Sequence, residues 1–292
     1  MGNISSLTDP SFIKKLETLA LLSKKVLGGE LKADRKTTKR GSGTTFADYA
    51  EYNFGDDFRN IDWNIYARLE NMVIKLFELE EDVKIFILLD ISPSMRKKML
   101  QAKKIAAALA YIALNHLDHL TIYGISDELK TIVKPSHGRN RIFPMLEALE
   151  NIECHGHDTD FSESLKTFYL RHRRPGICVV ISDFFVPDGY SRSLEQLMWN
   201  RHDVFCIQLQ HPDEQNCTIR GDIEFKCIES GETKRVTIGP REATRYASAI
   251  EQWNADLQQN CAKQGIGLAT ASTEVPFEEI IQHILLRGGL VA

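Results

Sequence analysis

Three oxygen-bearing side chains leave one short segment of the 292-residue chain at alternate positions: Asp90, Ser92 and Ser94. One carboxylate and two hydroxyls are hard donors, and they suit a small octahedral cation such as Mg2+, or Mn2+ in its place, better than zinc or copper. Two later residues carry donors of the same kind. Thr159 stands in His-Asp-Thr-Asp-Phe ahead of a helical pattern at 160 to 172, and Asp183 closes a second apolar run, Ile177-Cys178-Val179-Val180-Ile181-Ser182. Asp90, Ser92, Ser94, Thr159 and Asp183 are therefore expected to form one metal site. The competing expectation is that Ser92 or Ser94 only caps the helix that follows.

The elements that must position these donors can be read from the surrounding pattern. Residues 84 to 89, Lys-Ile-Phe-Ile-Leu-Leu, form an apolar run of strand length, rich in branched and aromatic residues, as in a strand covered on both faces of a parallel sheet. Ligands bind at the carboxyl ends of such strands, where Asp90 and Asp183 would emerge. A helix is expected from about 96 to 117, with Ile105, Leu109, Ile112 and His116 on one face. His116 reads as a helix-terminus histidine. A hairpin over 119 to 125 and 129 to 133 would end in an antiparallel edge strand. Further strands are expected at 177 to 182, 204 to 209 and 266 to 270, and helices near 140 to 151, 160 to 172, 191 to 201, 241 to 264 and 276 to 287. This alternation specifies an α/β fold, a doubly wound, mostly parallel sheet.

An N-terminal extension, residues 1 to 80, precedes the main domain at 81 to 292. Phe12, Leu16, Leu19, Leu22 and Val26 predict an amphipathic helix over 9 to 27, opened by Asp9-Pro10 and stopped at Gly28-Gly29. The basic stretch from Lys32 to Arg40 reads as a solvated linker. In residues 55 to 68, Asp56, Asp57, Asp62, Arg59 and Arg68 are placed to pair or cap, with Ile61 and Trp63 burying apolar surface. A hairpin is inserted at about 219 to 238, turning at Glu229-Ser230-Gly231-Glu232.

Composition excludes several function classes. A net charge of −4 gives no general attraction to nucleic acid or anionic membrane, and 43% apolar content serves an ordinary core. No stretch approaches the roughly 18 apolar residues of a spanning helix, which predicts a cytoplasmic protein without membrane insertion. The start, Met-Gly-Asn-Ile-Ser-Ser, matches a myristoylation pattern but reads as an ordinary terminus. The six cysteines (Cys154, Cys178, Cys206, Cys217, Cys227 and Cys261) include no C-x-x-C pair and read as reduced thiols. Cys154-His155-Gly156-His157 lacks a fourth ligand for zinc, and His155 and His157 are expected at the rim of the magnesium site. Phe184 and Phe185 are candidates for an apolar rim contact or for burial under a helix. No P-loop, nucleophile elbow or dinucleotide loop occurs, and no base or nucleophile stands beside the expected ion. An enzyme is therefore not expected. The enzymatic alternative is a haloacid-dehalogenase-type phosphotransferase using Asp90, but it needs a second aspartate where Ser92 stands.

The D-x-S-x-S at Asp90, Ser92 and Ser94, with Thr159 and Asp183, resembles the metal-ion-dependent adhesion site of von Willebrand factor type A (vWA) domains. The segment Gly55-Asp-Asp-Phe-Arg-Asn-Ile-Asp-Trp-Asn-Ile-Tyr-Ala-Arg68, continued by Lys75-Leu-Phe-Glu-Leu-Glu80, is similar to the G-D-D-x-R-x-I-D-W-x-x-x-A-R segment ahead of the vWA core in the bacterial domain of unknown function 58 family. The resemblance implies a Rossmann-like vWA fold and a non-enzymatic, Mg2+-dependent protein-binding module. In such a module a carboxylate of another protein completes the metal shell. It further implies a partnership with a MoxR-type AAA+ ATPase in chaperone-like work on a client protein.

Overall fold

The computed structural model describes residues 6–34, 36–40, 45–80, 83–154, 161–186, 189–215, 221–226 and 233–286; over 24–40, 45–47, 77–80 and 226 it describes the backbone alone. Thr159, His155, His157, Cys217, Cys227, the 229–232 turn and the first five residues lie outside this set. The chain divides into two compact units, Lys24–Asp82 and a larger one formed by Met1–Ser23 with Val83–Ala292.

Helix α1 (Pro10–Asp34) begins where Asp9 Oδ1 accepts from the Ser11 amide at 2.8 Å. Within the larger unit Phe12, Leu16 and Leu19 are buried while Leu21, between stripe positions, is exposed. The helix was expected to stop at Gly28-Gly29 but runs on to Asp34. Glycine inside a helix costs only about 1 kcal/mol each and leaves the backbone hydrogen bonds intact, so without a proline the helix continues.

The smaller unit holds β1 (Lys36–Arg40), β2 (Thr45–Glu51), α2 (Trp63–Leu69) and β3 (Val73–Glu80), its antiparallel sheet ordered β1-β3-β2. The basic stretch expected as a linker thus supplies the end of α1 and an edge strand. Its register sets Lys36 opposite Glu80, Lys39 opposite Phe77 and Arg40 opposite Leu76, so a run whose composition suggested solvent is held by backbone pairing. Asp62 caps α2, accepting from the amides of Asn64 (3.0 Å) and Ile65 (3.3 Å), and Lys75 Nζ lies 3.0 Å from its carboxylate. Ile61 is buried as expected, but Trp63 is 56% exposed. It opens α2, and its ring lies edge-to-face with that of Tyr66 at 6.1 Å.

The larger unit continues with β4 (Lys84–Asp90), α3 (Met99–Asn115), β5 (His119–Ile125), β6 (Leu129–Ser136), α4 (Ile142–Glu150), α5 (Phe161–Arg171), β7 (Ile177–Ser182), α6 (Ser191–Trp199), β8 (Asp203–Gln210), α7 (Pro212–Gln215), β9 (Gly221–Lys226), β10 (Thr233–Ile238), α8 (Pro240–Gln264), β11 (Gly267–Ser272) and α9 (Phe277–Leu286). Its main sheet is ordered β11-β8-β7-β4-β5-β6, all parallel except the antiparallel edge strand β6. β9 and β10 form the inserted hairpin. Strand alternation sends Ile87 and Leu89 into one core with α1, α3, α4 and α9, and Phe86 and Leu88 into the other with α5, α6 and α8. Both faces of β4 are thus covered, as its unbroken apolar run requires.

Candidate metal centre

The chain leaves β4 toward β5 on one side and later returns to β7 on the other, so the sheet reverses its winding between β4 and β7. In an open α/β sheet the carboxyl ends of the strands at such a reversal form a crevice. Asp90 ends β4 and Asp183 follows Ser182, the last residue of β7. The register Leu89↔Ile181 sets Asp90 level with Ser182, whose hydroxyl donates to Asp90 Oδ2 at 2.6 Å.

Asp90 Oδ1 accepts from the Ser92 amide at 2.9 Å, which folds the chain back over the strand end. The Ser92 and Ser94 hydroxyl oxygens are then 2.9 Å apart. Neighbouring ligands on an octahedral Mg2+ with bonds of about 2.1 Å are separated by roughly 3 Å, so this pair has the spacing of two adjacent ligands. Ser92 precedes the short 3-10 turn Pro93–Lys97, yet its side chain makes no capping hydrogen bond. The capping expectation therefore fails for Ser92.

Asp183 is buried and its Oδ1 accepts from the Phe185 amide at 2.9 Å. Its Oδ2 lies 2.8 Å from Lys98 Nζ but accepts no hydrogen bond, because the contact is one of charge without the alignment a bond requires. Burial, then the nearby Asp183 charge, push the Asp90 carboxyl up to about 6, against the hydrogen bonds from Ser182 and Ser92. The raised Asp90 carboxyl, beside an Asp183 oxygen that meets Lys98 by charge without a hydrogen bond, forms a site whose electrostatics a divalent cation would relieve.

Four of the five expected residues, Asp90, Ser92, Ser94 and Asp183, thus lie at the adjoining ends of β4 and β7. Thr159 is outside the described residues; Phe161, two residues later, packs against Phe184 with ring centres 6.2 Å apart. Phe184 is fully buried, not a rim contact, and its backbone is left-handed (φ 58°), an uncommon conformation for a bulky residue and one that clusters at functional sites. Phe185 turns the other way, between Trp253 and Lys98.

Sequence reasoning missed Ser182, Lys98 and Glu214. Ser182 carried a signal, since it precedes Asp183 at the same strand end. Lys98 sits in Arg96-Lys97-Lys98, indistinguishable there from solvated charge, yet it is 0% exposed and pairs with both Asp183 and Glu214. Among the described residues no group of three or more His, Cys, Asp or Glu side chains could hold a metal ion, so a cation here would depend on hydroxyl oxygens for part of its shell. The residues present fit a hard divalent ion: two carboxylates, a pair of hydroxyls at ligand spacing and no soft donor.

The family described as "Protein of unknown function DUF58" matches residues 48–256. Uncharacterized proteins of Mycobacterium tuberculosis and Mycobacterium bovis are each 25% identical over 274 residues, covering 91% of this chain and 86% of theirs. Among solved structures, BatB from Bacteroides thetaiotaomicron is 14% identical with a TM-score of 0.44, covering 69% of this chain and 98% of that one. A von Willebrand factor type A protein from Catenulispora acidiphila is 12% identical with a TM-score of 0.40, covering 86% and 51%.

Proposed function

Because the chain belongs to the DUF58 family, described only as of unknown function, its function must be argued from the site, and we propose a non-enzymatic, metal-dependent protein-binding module of vWA type. The observation that carries this reading is the meeting of Asp90, Ser92, Ser94 and Asp183 at the switch point of the sheet, with a buried Asp183 oxygen that accepts no hydrogen bond. Asp90, Ser92, Ser94 and Asp183, with Thr159, would hold Mg2+ or Mn2+. Bound there, the ion supplies positive charge and an open position for an acidic group of another protein.

The residues of the chain divide the work. Ser182 and the Ser92 amide orient the Asp90 carboxylate, and the Phe185 amide orients that of Asp183. Phe184 and Phe161 exclude water from beneath the strand ends. The position where a dehalogenase-type phosphotransferase needs its acid is Ser92, whose hydroxyl faces Ser94, so the Asp90 phosphotransfer alternative draws no support. By the family resemblance, the partner is a MoxR-type AAA+ ATPase, or a client protein that donates the carboxylate, in chaperone-like work.

A pull-down of the full chain with a MoxR-type AAA+ ATPase, in Mg2+ and again with a chelator, tests this. Binding should require Mg2+ and be lost in Asp90→Ala, with the variant's circular dichroism unchanged. Equal capture with the chelator, or by a folded Asp90→Ala protein, would sink the reading. The described residues contain no helix long and apolar enough to cross a membrane.

A further inference from the structure

Lys98 is the one feature of this site that the adhesion-site reading does not use. It lies between the 3-10 turn that follows the Asp90 loop and the first turn of α3, held there by its amide to the Met95 carbonyl (2.8 Å) and by its carbonyl, which accepts from the Ala102 amide (2.9 Å). From that fixed point the side chain runs inward, fully buried, to place Nζ 2.8 Å from Asp183 Oδ2, against Glu214 and 5.7 Å from the centre of the Phe185 ring.

A buried ammonium needs compensating charge, and two carboxylates supply it here. The second, Glu214, comes from α7, 116 residues away in the chain and directly before the inserted hairpin. α7 is fastened at this point several times over. Lys97 Nζ reaches Asp213 at 2.7 Å, the His211 amide donates to Glu214 Oε2 at 3.0 Å, and the Tyr246 hydroxyl donates to the Glu214 carbonyl at 2.8 Å.

We propose that Lys98 is a tethered counter-cation of the metal site: its ammonium neutralises Asp183 while no divalent ion is bound, competes with that ion for the carboxylate, and is drawn toward Glu214 when the ion arrives. The inference rests on the divalent-ion reading above. Asp183 cannot be shared at full strength between an ammonium at 2.8 Å and a divalent ion, because like charges at such range in a buried site repel strongly. Glu214 offers the displaced ammonium a second carboxylate without returning it to water. Occupation of the site is thereby registered at α7, the segment that leads into the β9–β10 hairpin. Lys98 is a positioning residue in this account, since it sets how tightly the site takes its ion.

Titration of Mn2+, with the free ion followed by electron paramagnetic resonance, separates the possibilities in the full-length protein. Lys98→Met keeps the length of the buried stem and removes the charge; it should bind Mn2+ about tenfold tighter than the unsubstituted chain. Glu214→Gln removes the second anchor and should bind it more weakly, and this weakening should vanish once Lys98→Met is also present. If the unsubstituted protein binds Mn2+ and Lys98→Met binds no tighter, the counter-cation role is overturned while the metal site stands. If neither protein binds Mn2+, the divalent-ion reading falls and takes this inference with it. Binding by Lys98→Met alone would mean that the ammonium stands in place of the ion in the native chain and does not yield to it, which overturns the proposal. Should Lys98→Met fail to fold, Glu214→Gln decides: Glu214 is 26% exposed on a surface turn, and unchanged or tighter Mn2+ binding there would overturn the proposal.

Discussion

At the scale of single residues, Asp90 carries the sharpest consequence. An aspartate titrates at its ordinary 3.8 in the unfolded chain, and folding raises Asp90 to about 6, so the folded state favours the protonated form. The stability this contributes is fully present below the unfolded value and is lost as pH rises from about 4 to about 6. A divalent ion takes the carboxylate form and offsets the repulsion from Asp183. The rise in melting temperature on adding Mg2+ should therefore be large at about pH 7.5 and small at about pH 5, as scanning calorimetry can read. A gain that grows on acidification would contradict this. Asp90→Asn removes one buried charge and keeps an acceptor for Ser182, so the metal-free variant should be more stable at neutral pH by roughly 1 kcal/mol in urea unfolding. That same variant should show no Mg2+-dependent gain; a metal-free protein weakened by the substitution would refute the repulsion account.

At the scale of elements, two substitutions test the frame that brings β4 and β7 together. Leu16 is fully buried on the face of α1 that meets the core, where Phe12 packs against Phe277 at 5.1 Å. Leu16→Ala should cost about 2–5 kcal/mol in urea unfolding; a cost near zero would mean the helix contributes no packing to the larger unit. Gly176, just before β7, lies so close to β4 that an added Cβ would sit 2.6 Å from the Lys84 carbonyl oxygen and 3.1 Å from the Phe86 ring. Gly176→Ala should destabilise by about 1–3 kcal/mol, through displaced backbone rather than lost contacts. The buried strands were legible because their apolar runs have strand length, and the β5–β6 hairpin because polar Ser126-Asp127-Glu128 splits two such runs. The sheet of the smaller unit went unread. Ile74, Leu76 and Leu79 sit among charged residues at partly alternating positions in β3, and β1 is almost wholly polar, so pairing rather than side-chain pattern defines them.

At the scale of the whole molecule, Asp90, Ser92, Ser94 and Asp183 all belong to the larger unit, and the smaller one is a separate compact body of residues 24–82. Excising 24–82 and bridging Ser23 to Val83 with a flexible linker should leave Mn2+ affinity within about threefold of the full chain. Loss of binding would show that the smaller unit contributes to the site. The donors at the strand ends could be found from sequence, because apolar run length and the residues that terminate a run are local properties. Their electrostatic setting could not. Lys97 and Lys98 are adjacent, chemically identical and embedded in one basic run, yet Lys97 is 63% exposed and Lys98 is 0% exposed. That difference arises when a turn 116 residues distant carries Glu214 to the end of the neighbouring strands, and long-range packing of this kind leaves no mark on local pattern.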